Sequence, residues 1–257
     1  MSTILNIKNL HKSFGGLIAV SNFSLRIAER EIVSIIGPNG AGKTTIFNLL
    51  TGFYQPDCGT IHFQDKDITG LKPHLIAAAG ISRTFQNIRL FGQLTVLDNI
   101  RLAFHLKKNY NFWDAVFTTR KFKHEEDRII QRSNYLLEIF ELSKDVQKLA
   151  SELPYGLQRR AEIARAMATD ARLLLLDEPA AGMNHTEIDE LMRLIHWVRE
   201  KFPITILLIE HQMRMIMEIS ERIIVLNFGQ MLAEGTPSHI QKNPRVIEAY
   251  LGSDNHA

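Results

Sequence analysis

The chain holds a single cysteine, Cys58, so no internal disulfide can form and a reducing compartment is expected. No apolar run approaches the length of a membrane span, and the start, MSTILNIKNLHKSF, lacks the apolar stretch of a secretory signal. By itself the protein is expected to be soluble, so any work at a membrane must pass through a partner. Charge of one sign is also scarce. Thirty Lys and Arg against 28 Asp and Glu leave a net +2, too little for the electrostatic footprint of a nucleic-acid binder. No internal repeat or low-complexity tract is visible. The 257 residues do supply 45% apolar side chains, enough for one substantial core with a smaller attached lobe.

Near the amino terminus, ILNIKNL and LIAVSNFSLRI alternate apolar and polar residues, the pattern of antiparallel edge strands. EIVSIIG then reads as a buried strand that stops at Gly37, and KTTIFNLLTG as a short helix ended by Gly52. From about residue 94 to 160 the sequence turns polar, charged and helical in period, with Ile129, Leu136, Leu137 and Phe140 on one face. This stretch reads as a helical subdomain inserted into a single domain. The strand pattern resumes at ARLLLLDEP and runs on through the helix TEIDELMRLIHWVREKF, the strand TILLIEH, and the strands RIIVLN and QMLAEG. Apolar strands alternating with amphipathic helices predict an α/β core, a parallel sheet covered on both faces. Ligands of such sheets bind beyond the carboxyl ends of the strands, here Gly37, Asp177, Glu210 and the region after Phe85.

One of those ends carries a phosphate-loop pattern. GPNGAGKT, Gly37 to Thr44, fits G-x-x-x-x-G-K-[ST] and lies between a predicted strand and a predicted helix. Its glycines let the backbone curl so that successive N–H groups aim at phosphate oxygens, and the helix adds its positive end. Lys43 can reach the β- and γ-phosphates, and the Thr44 hydroxyl can ligate Mg²⁺. LLLLDEP brings Asp177 and Glu178 to the same edge. Read alone, such a pair fits a solvated strand end. Behind a phosphate loop, Asp177 is placed for the Mg²⁺ shell and Glu178 for the general base that polarises an attacking water. His211 and Gln86, taken singly, read equally well as ordinary surface residues.

The order of these features carries more than any one of them. A phosphate loop, the glutamine of RTFQNIRLF, a helical insertion, LPYGLQRR, LLLLDEP and the histidine of TILLIEH succeed one another across nearly the whole chain. That order resembles the ATP-binding subunits of ABC transporters. RTFQNIRLF, LTVLDNI, YGLQRRAEIARAMAT, LLLLDEPAAGMN, ILLIEHQM and NPRVIEAYLG together are most similar to branched-chain amino-acid importer ATPases of the LivG type. Lipopolysaccharide-export ATPases, with similar EGTP and YLG endings, are the nearest alternative, and a non-transport ABC ATPase is a further one.

The resemblance implies a P-loop fold with an antiparallel β subdomain and an inserted helical subdomain, and no appended regulatory domain. It implies that ATP and Mg²⁺ are bound and that ATP is hydrolysed. A second ATPase subunit, alike or distinct, would sandwich the nucleotide. Two membrane permease subunits would hold the pair at the inner face of the cell membrane, with a substrate-binding protein on the outer side. Phe14 matches the aromatic that stacks on adenine, with Val20 beside it. Pro38, Asn39, Gly40, Ala41, Gly42 and Thr45 share the phosphate site with Gly37, Lys43 and Thr44. Gln86 matches the loop that ligates Mg²⁺ and touches the transport partner, His211 the switch that contacts the γ-phosphate, and Asn184 a position facing the second subunit.

Pro154, Tyr155 and Gly156 occupy the signature, where relatives carry Leu-Ser-Gly-Gly-Gln. Proline has neither the serine hydroxyl nor an N–H, so those donors are missing. The expectation is a weakened but competent signature, resting on Gly156, the N–H groups of Leu157 and Gln158, and the helix they open. Arg159 and Arg160 fall on that helix's first turns, where a solvated face and a functional one remain equally open.

Overall fold

The computed structural model describes residues 2–105 and 110–251. It divides into two compact units, Met1–Arg83 with Arg172–Ala257, and Thr84–Ala171. The second unit is wider at both ends than the stretch whose composition changes in the sequence.

In the first unit, β1 (Thr3–Phe14), β2 (Leu17–Ala28), β4 (Cys58–Phe63) and β5 (Lys66–Asp67) form an antiparallel sheet in the order β2-β1-β4-β5. A second sheet joins β3 (Ile32–Ile36), β6 (Ile81–Arg83), β7 (Leu173–Asp177), β8 (Thr205–Ile209), β9 (Arg222–Asn227) and β10 (Gln230–Gly235) in the order β10-β9-β3-β8-β7-β6. It is parallel except for the edge strand β10. The helices of this unit are α1 (Lys43–Leu50), α2 (Pro73–Ala79), α7 (His185–Lys201), α8 (Met213–Ile219), α9 (Pro237–Gln241) and α10 (Pro244–Leu251).

Every residue of β3, β7 and β8 is buried, as expected of strands covered on both faces. The period-two alternation of β9 shows those two faces. Ile224 and Leu226 enter a large core with Phe23, Phe47 and Phe63, while Ile223 and Val225 enter a smaller one with Ile216, Ile240 and Val246. Register then sets the site. Ile35 pairs with Ile209, and Ile209 pairs with Asp177, so Gly37, Asp177 and Glu210 leave the sheet at one edge.

The second unit holds α3 (Val96–Phe104), α4 (Phe112–Val116), α5 (Arg120–Ile139) and α6 (Tyr155–Met167). Ile129, Leu136 and Leu137 line the buried face of α5, and Phe140, at its C-cap, is fully buried. The region after Phe85 is not a strand end: β6 stops at Arg83, and the chain enters the second unit at Thr84.

Candidate functional site

The phosphate loop leaves β3 at Ile36 and closes into α1 at Lys43. At two of its glycines no other residue fits. A Cβ on Gly37 (φ +151) would lie 2.2 Å from the Leu226 carbonyl oxygen, and one on Gly42 (φ +100) 2.3 Å from that of Ala19. Lys43 is buried, and its Nζ donates to the carbonyls of Gly37 (2.7 Å) and Pro38 (2.9 Å), so the ammonium is held inside the curl of the loop. Burial pushes its pKa below the ordinary lysine value, while Glu178 and Asp177 pull the other way. Ala41 is buried beneath the loop and Thr45 half-buried, whereas Asn39, Gly40 and Thr44 are exposed.

At the neighbouring strand ends, Asp177 is nearly buried and accepts from Arg83 Nη2 at 2.6 Å. Arg83 also donates to Asn48 Oδ1 at 2.7 Å, which ties the end of β7 to α1. Glu178 comes next, in the left-handed region (φ +44), a costly conformation for a non-glycine residue. Its N–H donates to Ile209 O at 2.8 Å, and its Oε1 lies 2.9 Å from His211 Nε2. A strained, part-exposed carboxylate against an imidazole can accept a proton and hold it at a defined atom.

Beneath this pair lies a residue singled out only as a strand end. Glu210 is buried, and its carboxylate accepts from three backbone N–H groups: Ala180 (2.8 Å), His211 (2.7 Å) and Gln212 (3.0 Å). It ties the loop after Glu178 to the turn that carries His211. No motif marks it; only the β7–β8 register could have found it.

Phe14, at the end of β1, is 40% exposed and packs edge-on against Tyr54 with ring centroids 5.0 Å apart. Tyr54, which no motif pointed to, shares that aromatic surface. Val20 does not. It is wholly buried in the large core, so it supports the neighbouring backbone from inside and offers no face to a ligand. Asn184 is exposed and forms a reciprocal cap on α7, accepting from Glu187 N at 3.0 Å while Glu187 accepts from Asn184 N at 2.9 Å.

In the second unit, Pro154 is the exposed N-cap of α6, and Tyr155 and Gly156 form its first turn. Pro154 supplies no side-chain cap. The Gln158 N–H, expected to serve the signature, donates instead to Pro154 O at 3.0 Å as part of the helix. Arg159 is no solvated side chain. It is completely buried, donating to Glu162 Oε2 (2.7 Å), Phe85 O (2.6 Å) and Gln86 O (2.8 Å). Glu162 in turn accepts from Arg89 N at 3.1 Å. The pair therefore holds the segment on which exposed Gln86 sits. Arg160 is half-buried and pairs with Glu141.

Residues 20–181 match the family model described as ABC transporter, and residues 230–256 match that of the branched-chain amino acid ATP-binding cassette transporter. The chain is 48% identical to the high-affinity branched-chain amino acid transport ATP-binding protein BraF of Pseudomonas aeruginosa, over 97% of this chain and 98% of the relative. With LivG of Escherichia coli, of the same description, the identity is 47% at the same coverage. Among solved structures, the ADP conformation of an ATP-binding cassette of an ABC transporter superposes with a TM-score of 0.85 and 31% identity, covering 98% of this chain and all of that one. A dimeric post-hydrolysis cassette bound to ADP and phosphate gives 0.76 and 25% identity, covering 91% and 99%.

Proposed function

The chain belongs to the ABC transporter family of ATP-binding proteins and is an ATPase, and from that premise we propose that it powers the uptake of branched-chain or related amino acids. The observation that carries the hydrolytic reading is the Glu178–His211 pair at 2.9 Å, at the sheet edge from which the phosphate loop also leaves. In this reading the loop N–H groups and Lys43 hold the triphosphate, and Glu178 accepts the proton of the attacking water. His211 fixes the Glu178 carboxylate and reaches the γ-phosphate. Phe14, with Tyr54, offers the base a stacking surface.

The available donors fit Mg²⁺. Among the described residues no group of three or more His, Cys, Asp or Glu could form a protein cage for a metal. Mg²⁺ does not need one, since it takes one or two protein oxygens beside phosphates and water. Thr44 and Asp177, both in the first unit, would hold it. When bound, it would neutralise charge on the β- and γ-phosphates.

The dimeric relative supports a sandwich with a second cassette. In the proposed reading Pro154, Tyr155 and Gly156 would face the partner's nucleotide and Asn184 the second subunit. No helix among the described residues is long and apolar enough to cross a membrane. In the proposed reading, membrane permease subunits carry the substrate and the ATPase works at their cytoplasmic side. Glu178→Gln tests the chemistry. It should retain ATP binding and lower phosphate release by about 10²–10⁴-fold, the loss typical of a missing general base. Release at the unmodified rate would falsify the role given to Glu178.

A further inference from the structure

The apolar face of α4 points away from the protein. Phe112, Trp113, Val116 and Phe117 fall at i, i+1, i+4 and i+5, one side of the helix, and they are 53–70% exposed. Trp113 stacks on Phe117 with centroids 6.0 Å apart, and Phe112 meets Trp113 edge-on at 5.5 Å. This is the reverse of ordinary amphipathic packing, and contiguous apolar surface of this kind marks a binding face.

The face is also held in place. Five residues are too few for an isolated helix, yet Asn111 and Asp114 form a reciprocal capping box, and Asp114 accepts a further bond from Thr119 Oγ at 2.9 Å. The Asn111 and Thr119 bonds hold the Asp114 pKa below the ordinary value, with a smaller pull from Lys121 nearby.

The adjoining helix identifies the partner chemistry. The first turn of α5 carries Arg120, Lys121 and Lys123, all exposed, with His124 next and no acidic residue. Cations at a helix N-terminus oppose the macrodipole, so this placement carries an intrinsic cost that an external anion would offset. Exposed tryptophan and phenylalanine beside a lysine- and arginine-rich turn are the residues that settle at the headgroup level of anionic bilayers.

We propose that the outward face of α4 and the basic first turn of α5 form an interfacial contact with an anionic lipid surface. It would steady the ATPase against the membrane independently of its protein partners. The inference rests on the transport reading only in that such an ATPase works beside a bilayer.

Trp113 and Trp197 are the only tryptophans, so Trp197→Phe leaves one reporter on the proposed face. In that background, vesicles of phosphatidylglycerol and phosphatidylcholine should shift Trp113 emission to the blue, and salt should weaken the effect. Pure phosphatidylcholine should bind at least tenfold more weakly. Phe112→Ser with Phe117→Ser should lose at least tenfold in partitioning, while ATP hydrolysis stays normal. Arg120→Glu, Lys121→Glu and Lys123→Glu together should abolish the preference for anionic lipid. No shift on either vesicle overturns the proposal. So does a shift only with purified membrane subunits, which would make the face a protein-docking surface. Hydrolysis is measured on the same samples, so failure of the ATPase reading is seen separately from failure to bind lipid.

Discussion

The phosphate-loop end of the first unit and the signature end of the second are both nucleotide-facing in the proposed reading, but they are built differently. The first depends on backbone: two glycines pressed against carbonyls, a lysine folded onto the loop, and a carboxylate forced into the left-handed region. Little there can change without closing the site. The second depends on side chains, with an exposed Pro154 at the helix start above a fully buried Arg159–Glu162 pair. Its outer surface presents a proline, with neither hydroxyl nor N–H to donate, while its interior is ordered by the buried pair. A site fixed by backbone tolerates few substitutions, whereas one supported from below can vary at its surface and keep its position.

The largest expected effect tests that support. Arg159→Met leaves Glu162 buried without its counter-charge and removes the bonds to the carbonyls of Phe85 and Gln86, so stability should fall by about 3–5 kcal/mol. Arg159→Met with Glu162→Met should recover the part due to the uncompensated charge, because an apolar pair of similar volume is often no less stable, but not the part due to the backbone bonds the pair makes. Urea denaturation of the single and double variants measures both. A single variant within about 0.5 kcal/mol of the parent, the range of ordinary surface changes, would break the comparison.

A smaller effect is expected on the other side. Glu210→Gln keeps the shape but replaces one acceptor oxygen with a donor, leaving at least one of the Ala180, His211 and Gln212 N–H groups unpaired, at about 1–3 kcal/mol. Because these groups place His211 and the loop after Glu178, kcat should fall about tenfold, equivalent to about 1.4 kcal/mol in the barrier. KM for ATP should stay within about twofold, since the phosphate loop is untouched. A lowered melting temperature with normal kcat would reduce Glu210 to a purely structural residue.

Much of the first site was legible in the sequence because its parts have fixed spacing: GPNGAGKT between a strand and a helix, and an acidic pair after LLLL. Glu210 was not, because a carboxylate at a strand end looks the same whether it faces water or three N–H groups. Arg159 and Glu162 sit at i and i+3 in either a solvated or a buried pair, and only burial separates the two. Val20 was misplaced for a related reason. Adjacency to a motif says nothing about which side of a pleated strand a residue faces, and β2 turns this one inward. Nothing in the sequence singled out Phe112, Trp113, Val116 and Phe117, because apolar residues at helical spacing ordinarily face a core, and their outward turn needed the structure.

The smallest effect belongs to the outer surface of the signature. Pro154→Ser restores a hydroxyl at the N-cap of α6, where serine accepts from the N–H of the first turn and steadies the helix by about 1 kcal/mol. The same oxygen still carries a proton, which it can donate to a phosphate across the proposed dimer. One such bond is worth about 0.5–1.5 kcal/mol, so ATP-driven association with the second cassette should tighten by no more than about tenfold. Pro154→Asp separates the two roles. An aspartate caps as well as a serine but has no proton to give and would repel a γ-phosphate. Both variants should raise the melting temperature without nucleotide, and only the serine should tighten association, measured by sedimentation with and without ATP. If serine and aspartate act alike on association, Pro154 does not face a phosphate, and the signature works through Gly156 and the helix alone.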